Sequence, residues 1–374
     1  MFDTSPEVAV RIEAIARRLR EIDLSPERLT AEAVHAGVVR DVYAELWDVK
    51  PFRTFLPERH GGSGAPAAEV LDLLGAIAFE SLPMALAVGL TAALFLLPVA
   101  THAEGARAEE ALARFAGDDV VLGGMMMTEP GCGTDLFATR TRVEPHGPNV
   151  RIRGVKHWQG LTGHADAWLV FGRNDTERRS RSLGFHLAPA DSGFAVEEYY
   201  RAHGLAPIPY GRTGIDVEVP ASNRIGGDEP YTAVVGGILC GSRLSFSGVA
   251  HGFLRRVREE TERHVGERSV FRRRLADYDS VRARLEQVVY GECVARALCL
   301  HVVDASPRIS SAKTPLFPEA AMVKALATDF MSEAANHLAV LRGGEGYRAD
   351  QAGFGGVIHA HPFRVFEGPN DVLF

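Results

Sequence analysis

Apolar residues recur at helical spacing over the first hundred positions. In 6–19, Val8, Ile12, Ile15 and Leu19 fall on one face, with Ser5 placed to cap the first turn. A second helical run covers 31–47. Periodicity is lost at 52–64, where Pro57, Gly61, Gly62 and Gly64 interrupt it. From 67 to 100 the pattern is again helical and strongly apolar. The longest apolar run, 84–100, has Pro83 and Pro98 at its margins and a glycine inside, and its length predicts a buried core helix rather than a membrane span.

Around Val120 the pattern shortens. The segments 151–158, 167–171, 183–187, 194–200 and 214–220 are β-branched or aromatic and bounded by Gly, Asn or Asp. Short strands at this spacing predict an antiparallel barrel or sandwich, with 174–181 a charged surface loop. After Pro230 helical periodicity returns and runs to about Arg342, interrupted at Ser306-Pro307 and Thr314-Pro315. No repeat or low-complexity tract is present, and the lack of strand–helix alternation argues against a Rossmann fold. The expected architecture is a multidomain α+β chain: an N-terminal helical domain over 1–120, a middle β domain over 121–228 and a C-terminal helical bundle over 229–374.

Composition adds little to this. A chain of 374 residues is long enough for two or three packed units. The hydrophobic content of 46% and charged content of 24% are those of an ordinary soluble protein. A net charge of −7 gives no electrostatic case for nucleic acid, although local basic clusters could still meet an anionic ligand. Cys132, Cys240, Cys293 and Cys299 show no metal-ligand spacing and fit a reducing compartment. The first residues lack the basic and apolar regions of a signal peptide, so the cytoplasm is the expected location.

Two distant stretches carry candidate chemistry. In 127–135, Pro130, Gly131 and Gly133 let the backbone approach a flat ligand and turn N–H groups toward it, and Thr128 and Thr134 add hydroxyls. On its own that composition also describes a structural turn. Trp158, on a following strand, offers a stacking wall for a heteroaromatic ring. In 365–371 a single carboxylate, Glu367, stands between an apolar run and a turn.

Thr-Glu-Pro-Gly-Cys-Gly-Thr-Asp at 128–135 is similar to the TEPGAGSD loop of the acyl-CoA dehydrogenase family, and Gly154-Val155-Lys156-His157-Trp158 resembles that family's G-x-K-x-W strand. Leu56-Pro57 with 61–64, Ala202-His203-Gly204 through 217–221, Glu267-Arg268-Ser269-Val270-Phe271 and Gly343-Gly344-Glu345-Gly346-Tyr347 follow the family pattern in order. The resemblance implies a FAD-dependent enzyme that desaturates an acyl thioester at the α,β-bond. It implies a cofactor site of Met125, Met127, Thr128, Gly133, Thr134, Trp158, Gly160, Arg268, Phe271, Gly343, Gly344 and Asp371, with Arg268 and the Gly343-Gly344 segment acting across a dimer interface. Thr134, Arg243 and Gly368 match substrate positions, and Glu367 matches the base that takes the α-proton.

Some members carry the base just before the arginine matched by Arg243; that position is Ser242 here, which leaves Glu367 in register. The chain departs from the pattern at Gly160, Asp279, Val340 and Pro369, and at Arg272 and Arg274 after the matched phenylalanine. Arg272, Arg273 and Arg274, with Arg255, Arg256 and Arg258, read either as a solvated face or as a site for phosphates or an acidic carrier protein. The implied partners are an acyl group on CoA or a carrier protein, an electron acceptor such as electron-transfer flavoprotein, and further copies in a homodimer or homotetramer; no metal is implied. An oxidase or monooxygenase on the same fold, or a non-catalytic partner subunit, remain alternative readings.

Overall fold

The structure is a computed structural model that describes residues 2, 4–191, 193–312, 316–348, 350 and 354–373. Ser5 accepts from the Val8 N–H and starts α1, Pro6–Glu21, which buries Val8, Ile15 and Leu19. The expected helix over 31–47 is two helices, α2, Ala31–Ala36, and α3, Val38–Leu46, because Gly37 takes φ 110 between them. The apolar run that follows is likewise broken. Ser81 ends α4, Ala67–Glu80, and caps α5, Leu82–Thr91; a π-turn, Ala92–Leu96, then leads into α6, Leu97–His102, before α7, Ala106–Ala116. The stretch 82–102 is apolar and long enough to cross a membrane, but 83% of its most apolar 18-residue window is buried inside the protein, as in a core helix.

Seven strands follow: β1, Gly123–Met126; β2, Arg142–His146; β3, Asn149–Gly160; β4, Ala167–Arg173; β5, Leu183–Pro189; β6, Phe194–Tyr200; and β7, Tyr210–Pro220. They form one sheet in the order β1-β4-β2-β3-β7-β6, with β5 on β4. The β2-β3-β7-β6 pairs and the β4-β5 pair are antiparallel as expected. β1 departs from this, running parallel to β4 with Gly123 opposite Ala167 and Met126 opposite Val170, and β2 meets β4 in parallel at one pair. All four residues of β1 are buried, so it has no alternation to read.

The C-terminal part is built on α8, Tyr231–Glu267, which packs on α4, on α9, Asp279–Ala305, and on α10, Phe317–Arg342. A hairpin of β8, Ser269–Val270, and β9, Arg273–Arg274, separates α8 from α9, an interruption the helical pattern did not disclose. The expected break at 306–307 is present between α9 and α10; Thr314 and Pro315 lie outside the described residues. Two short helices, α11, Phe354–Ala360, and α12, Asn370–Leu373, end the chain around the 365–369 turn.

The α4–α8 seam depends on small residues. A Cβ on Gly248 would stand 2.7 Å from Leu71 Cα, and one on Gly252 would stand 1.9 Å from the Gly75 carbonyl oxygen. Backbone meets backbone there, so no side chain can move aside. Gly252→Ala is therefore expected to destabilise by about 1–3 kcal/mol and to lower the thermal midpoint. Gly236→Ala, where an added methyl meets nothing within 4 Å, should hold or raise it. Thermal melts of the two variants check this, and equal midpoints would show that the seam opens freely.

Candidate active site

The 128–135 loop is fastened from beneath by a buried ion pair. Glu129 hydrogen-bonds the backbone N–H groups of Arg140 at 2.6 Å and Thr141 at 2.9 Å, and also the Thr139 hydroxyl. Lys156, fully buried on β3, reaches Glu129 at 2.8 Å and donates to the Met127 carbonyl at 2.9 Å. Burial pushes the Glu129 carboxyl up, but Lys156 and the hydrogen bonds outweigh it and hold the group down at about 2. Burial pulls the Lys156 ammonium down to about 8, which leaves it charged at neutral pH. The His157 N–H donates to the Thr128 carbonyl at 3.0 Å, which joins the loop to β3.

The next residue breaks the strand. The β3–β7 register shifts between His157 and Gln159, and Trp158 sits in the bulge at φ 57 with half its surface exposed. A bulge re-aims a side chain, and here it turns a large ring out of the sheet. From Trp158 a series of rings crosses to α8: Trp158–Tyr210 at 6.0 Å, Tyr210–Phe366 at 6.3 Å, Phe366–Phe363 at 6.2 Å and Phe363–Phe246 at 5.6 Å between centroids. These contacts tie Phe366, the neighbour of Glu367, to the sheet.

Glu367 takes φ 56 and Gly368 φ 98, two successive residues in the left-handed region. Two cations fasten this turn. Arg243, on α8, donates from Nε at 2.9 Å and from Nη2 at 2.6 Å to the Glu367 carbonyl. Lys324, fully buried on α10, donates to the Gly368 carbonyl at 2.7 Å and to Asn370 Oδ1 at 2.7 Å. Neither cation bonds the carboxylate, and Glu367 Oε2 has no hydrogen-bond partner among the described residues. Glu367 keeps some surface toward the cavity while its carboxyl lies deep among protein atoms. That burial raises it to about 7, against the opposing pull of Arg243 and Lys324.

A cavity of about 840 Å³ lies between these walls. Thr128, Gly133, Thr134, Trp158, Gly160, Glu367 and Gly368 line it, and so does Ser242, the residue before Arg243 on α8. Arg243 stands behind Glu367 rather than on the lining, stacked over Phe317 at 5.0 Å. Met125 is buried in β1, Met127 is tied to Lys156 through its carbonyl, and Asp371 is exposed on α12; none of the three lines the cavity.

Arg268, Phe271, Gly343 and Gly344 are exposed elsewhere, on the adjoining ends of α8 and α10, where His264 meets the Leu341 carbonyl at 3.0 Å. Phe271 is 92% exposed at the tip of the β8–β9 hairpin. The arginines read as one cluster are divided. Arg256 is paired with Glu260, Arg258 with Glu292 and Glu262, and Arg255 covers Phe79, whereas Arg272–Arg274 lie on the exposed hairpin.

Several residues that shape the site carried no motif. Leu86, Gly89, Leu90, Ala93, Phe246 and Val249 form an uncharged wall. Leu90 occupies the space a side chain at Gly160 would need, with its Cδ1 2.4 Å from the ideal Cβ position. Lys324 had one signal, a lone charge inside the apolar run 320–327.

The walls fit the tricyclic end of FAD. Trp158 offers a half-exposed face, and the loop glycines leave the backbone open: Gly131 has nothing within 4 Å of a Cβ, and Gly133 only the Thr128 methyl at 3.9 Å. Among the described residues no cluster of His, Cys, Asp or Glu could hold a metal.

The family model "Acyl-CoA dehydrogenase, middle domain" matches residues 124–217, and "Acyl-CoA dehydrogenase, C-terminal domain" matches 232–374. Cyclohex-1-ene-1-carbonyl-CoA dehydrogenase of Syntrophus aciditrophicus is 24% identical over 382 residues, covering 100% of this chain and 89% of that protein. A glutaryl-CoA dehydrogenase from Mycobacterium smegmatis solved with FADH2 superposes with a TM-score of 0.84 at 18% identity, over 99% of this chain and 93% of that one. The prolyl acyl carrier protein oxidase AnaB superposes with a TM-score of 0.85 at 16% identity, over 99% and 97%. The chain belongs to the acyl-CoA dehydrogenase family, whose members use FAD to dehydrogenate acyl thioesters.

Proposed function

We propose that the protein dehydrogenates a neutral, apolar acyl thioester and that Glu367 takes the α-proton. One observation carries the reading: a carboxylate with a free oxygen and a carboxyl pushed up to about 7 lines the same cavity as the 128–134 loop and Trp158. An α-C–H is a weak acid, so its base has to be close, desolvated and unpaired. FAD, when bound, supplies the acceptor for the β-hydride.

Thr128, Gly133, Thr134 and Trp158 would hold the ring system, and Arg268, Phe271, Gly343 and Gly344 would serve the far half of a neighbouring copy's cofactor in a homodimer or homotetramer. No described residue accepts from the Glu367 N–H, which leaves it available to polarise a thioester carbonyl. The acyl group would lie against Leu86, Gly89, Leu90, Ala93, Phe246 and Val249, a wall with no charge to meet a second carboxylate. Arg201, His203 and His361 are exposed at the mouth, where the CoA or carrier-protein arm would enter. Electron-transfer flavoprotein would reoxidise the cofactor. The likeness to a carrier-protein oxidase raises a second reading in which O₂ takes that role, separated from the first by whether air alone sustains turnover.

Glu367→Gln is expected to retain flavin while slowing its anaerobic bleaching by an acyl thioester on the order of 10²–10⁴-fold. Similar bleaching rates in both proteins would remove Glu367 from the mechanism. Because the base acts only when ionised, the wild-type bleaching rate should rise with pH through about 7, and the variant should lack that rise. A rate flat from pH 6 to pH 8 would contradict it.

Gly89 sits on α5 with nothing within 4 Å of an added Cβ, so its face opens on the cavity. Gly89→Leu should cut kcat/KM for long or branched acyl groups relative to short ones by about 10–200-fold. An unchanged preference across a chain-length series would place the acyl group elsewhere.

A further inference from the structure

Lys324 lies on α10 among Ala320, Ala321, Val323, Ala325 and Ala327, all of them buried. An ammonium in such surroundings is costly unless all three of its protons find acceptors. They do: the Arg364 carbonyl at 3.2 Å, the Gly368 carbonyl at 2.7 Å and Asn370 Oδ1 at 2.7 Å. All three acceptors belong to the one segment that carries Glu367, one before it in the turn and two after it. Asn370 extends the hold, donating to the Ala325 carbonyl at 3.2 Å, to Thr328 Oγ1 at 2.9 Å and to Asp329 Oδ1 at 2.9 Å.

We propose that Lys324 is a positioning residue for Glu367: its buried ammonium gathers the Arg364 and Gly368 carbonyls and the Asn370 amide oxygen, and so holds the Glu367 carboxylate at the cavity wall without pairing with it. The inference rests on the reading of Glu367 as the base. A cation bonded directly to the carboxylate would occupy the oxygen that must receive the proton. A cation bonded to the backbone on either side fixes the turn and leaves that oxygen open.

Other charges bear on the same carboxylate. Arg243 acts from α8, while Asp329 and Arg364, themselves paired at 2.6 Å, flank Lys324. Arg201, His203 and His361 stand at the mouth of the cavity. Of these, Arg243 and Lys324 act on Glu367 most strongly, and both favour its ionised form.

The test is a pH titration of the Glu367 carboxyl in the flavin-loaded protein by infrared difference spectroscopy, its band identified by its loss in Glu367→Gln. Lys324→Met keeps the length and removes the charge. It is expected to move the carboxyl midpoint upward by about one pH unit and to move the pH profile of flavin bleaching with it. An unchanged or lowered midpoint in folded Lys324→Met overturns the proposal. Should that variant not fold, Lys324→Gln, which keeps amide donors without charge, takes its place, and failure of both to fold would assign Lys324 to the fold alone and overturn it as well. The titration reads Lys324's hold on the carboxyl even if Glu367→Gln bleaches at the wild-type rate, so failure of one reading is distinguishable from failure of the other.

Discussion

A carboxylate that takes a proton from carbon has to be dry and unpaired, and a protein can keep such a group only by fixing the backbone around it. The 364–370 turn meets that requirement with two buried cations directed at carbonyl oxygens: Arg243 at Glu367's own and Lys324 at those of Arg364 and Gly368. The left-handed conformation of Glu367 costs on the order of 1–3 kcal/mol, and it persists because the surrounding bonds over-determine it. Much of the C-terminal part serves this turn. α8 supplies Arg243, α10 supplies Lys324 and Asp329, and the ring series from Phe246 to Trp158 joins α8 to the sheet.

The opposite wall makes the contrast. Glu129 is also buried, also beside a fully buried lysine, yet Lys156 bonds its carboxylate directly and backbone N–H groups take up the remaining lone pairs. Its carboxyl is held near 2, while that of Glu367 rises to about 7. The two sites use the same residue types, and a difference in which oxygen the ammonium bonds separates a structural fastener from a candidate base. Glu129 serves the loop that presents Thr128 and Thr134; Glu367 lines the same cavity as that loop.

How much of this the sequence disclosed follows from what each residue does locally. The strands β3 to β7 were legible because β-branched and aromatic runs bounded by turn residues are local signals, and Ser5 because a cap acts three residues on. β1 was not, because Gly123-Gly124-Met125-Met126 is short and holds no β-branched or aromatic residue, and the α2–α3 break was not, because both helices keep one periodicity through Gly37. Glu367, the 128–134 loop and Trp158 were visible as motifs, and the structure brings them to one cavity. Lys324 and Asn370 went unread because their role exists only once α10 meets the final turn, a contact some 40 residues distant in sequence.

Gly160 shows how a departure in a motif is resolved in space. In isolation it reads as a missing hydroxyl beside the cofactor. In the fold, Leu90 of α5 fills the room a side chain there would take, so the change on β3 and the apolar wall on α5 are one adjustment. A side chain returned at 160 would meet Leu90 Cδ1 first and Ile208 Cγ2 at 3.3 Å, so it is accommodated only if Leu90 turns aside. The position therefore has to be read with its neighbour on α5, since the two share one space between β3 and α5.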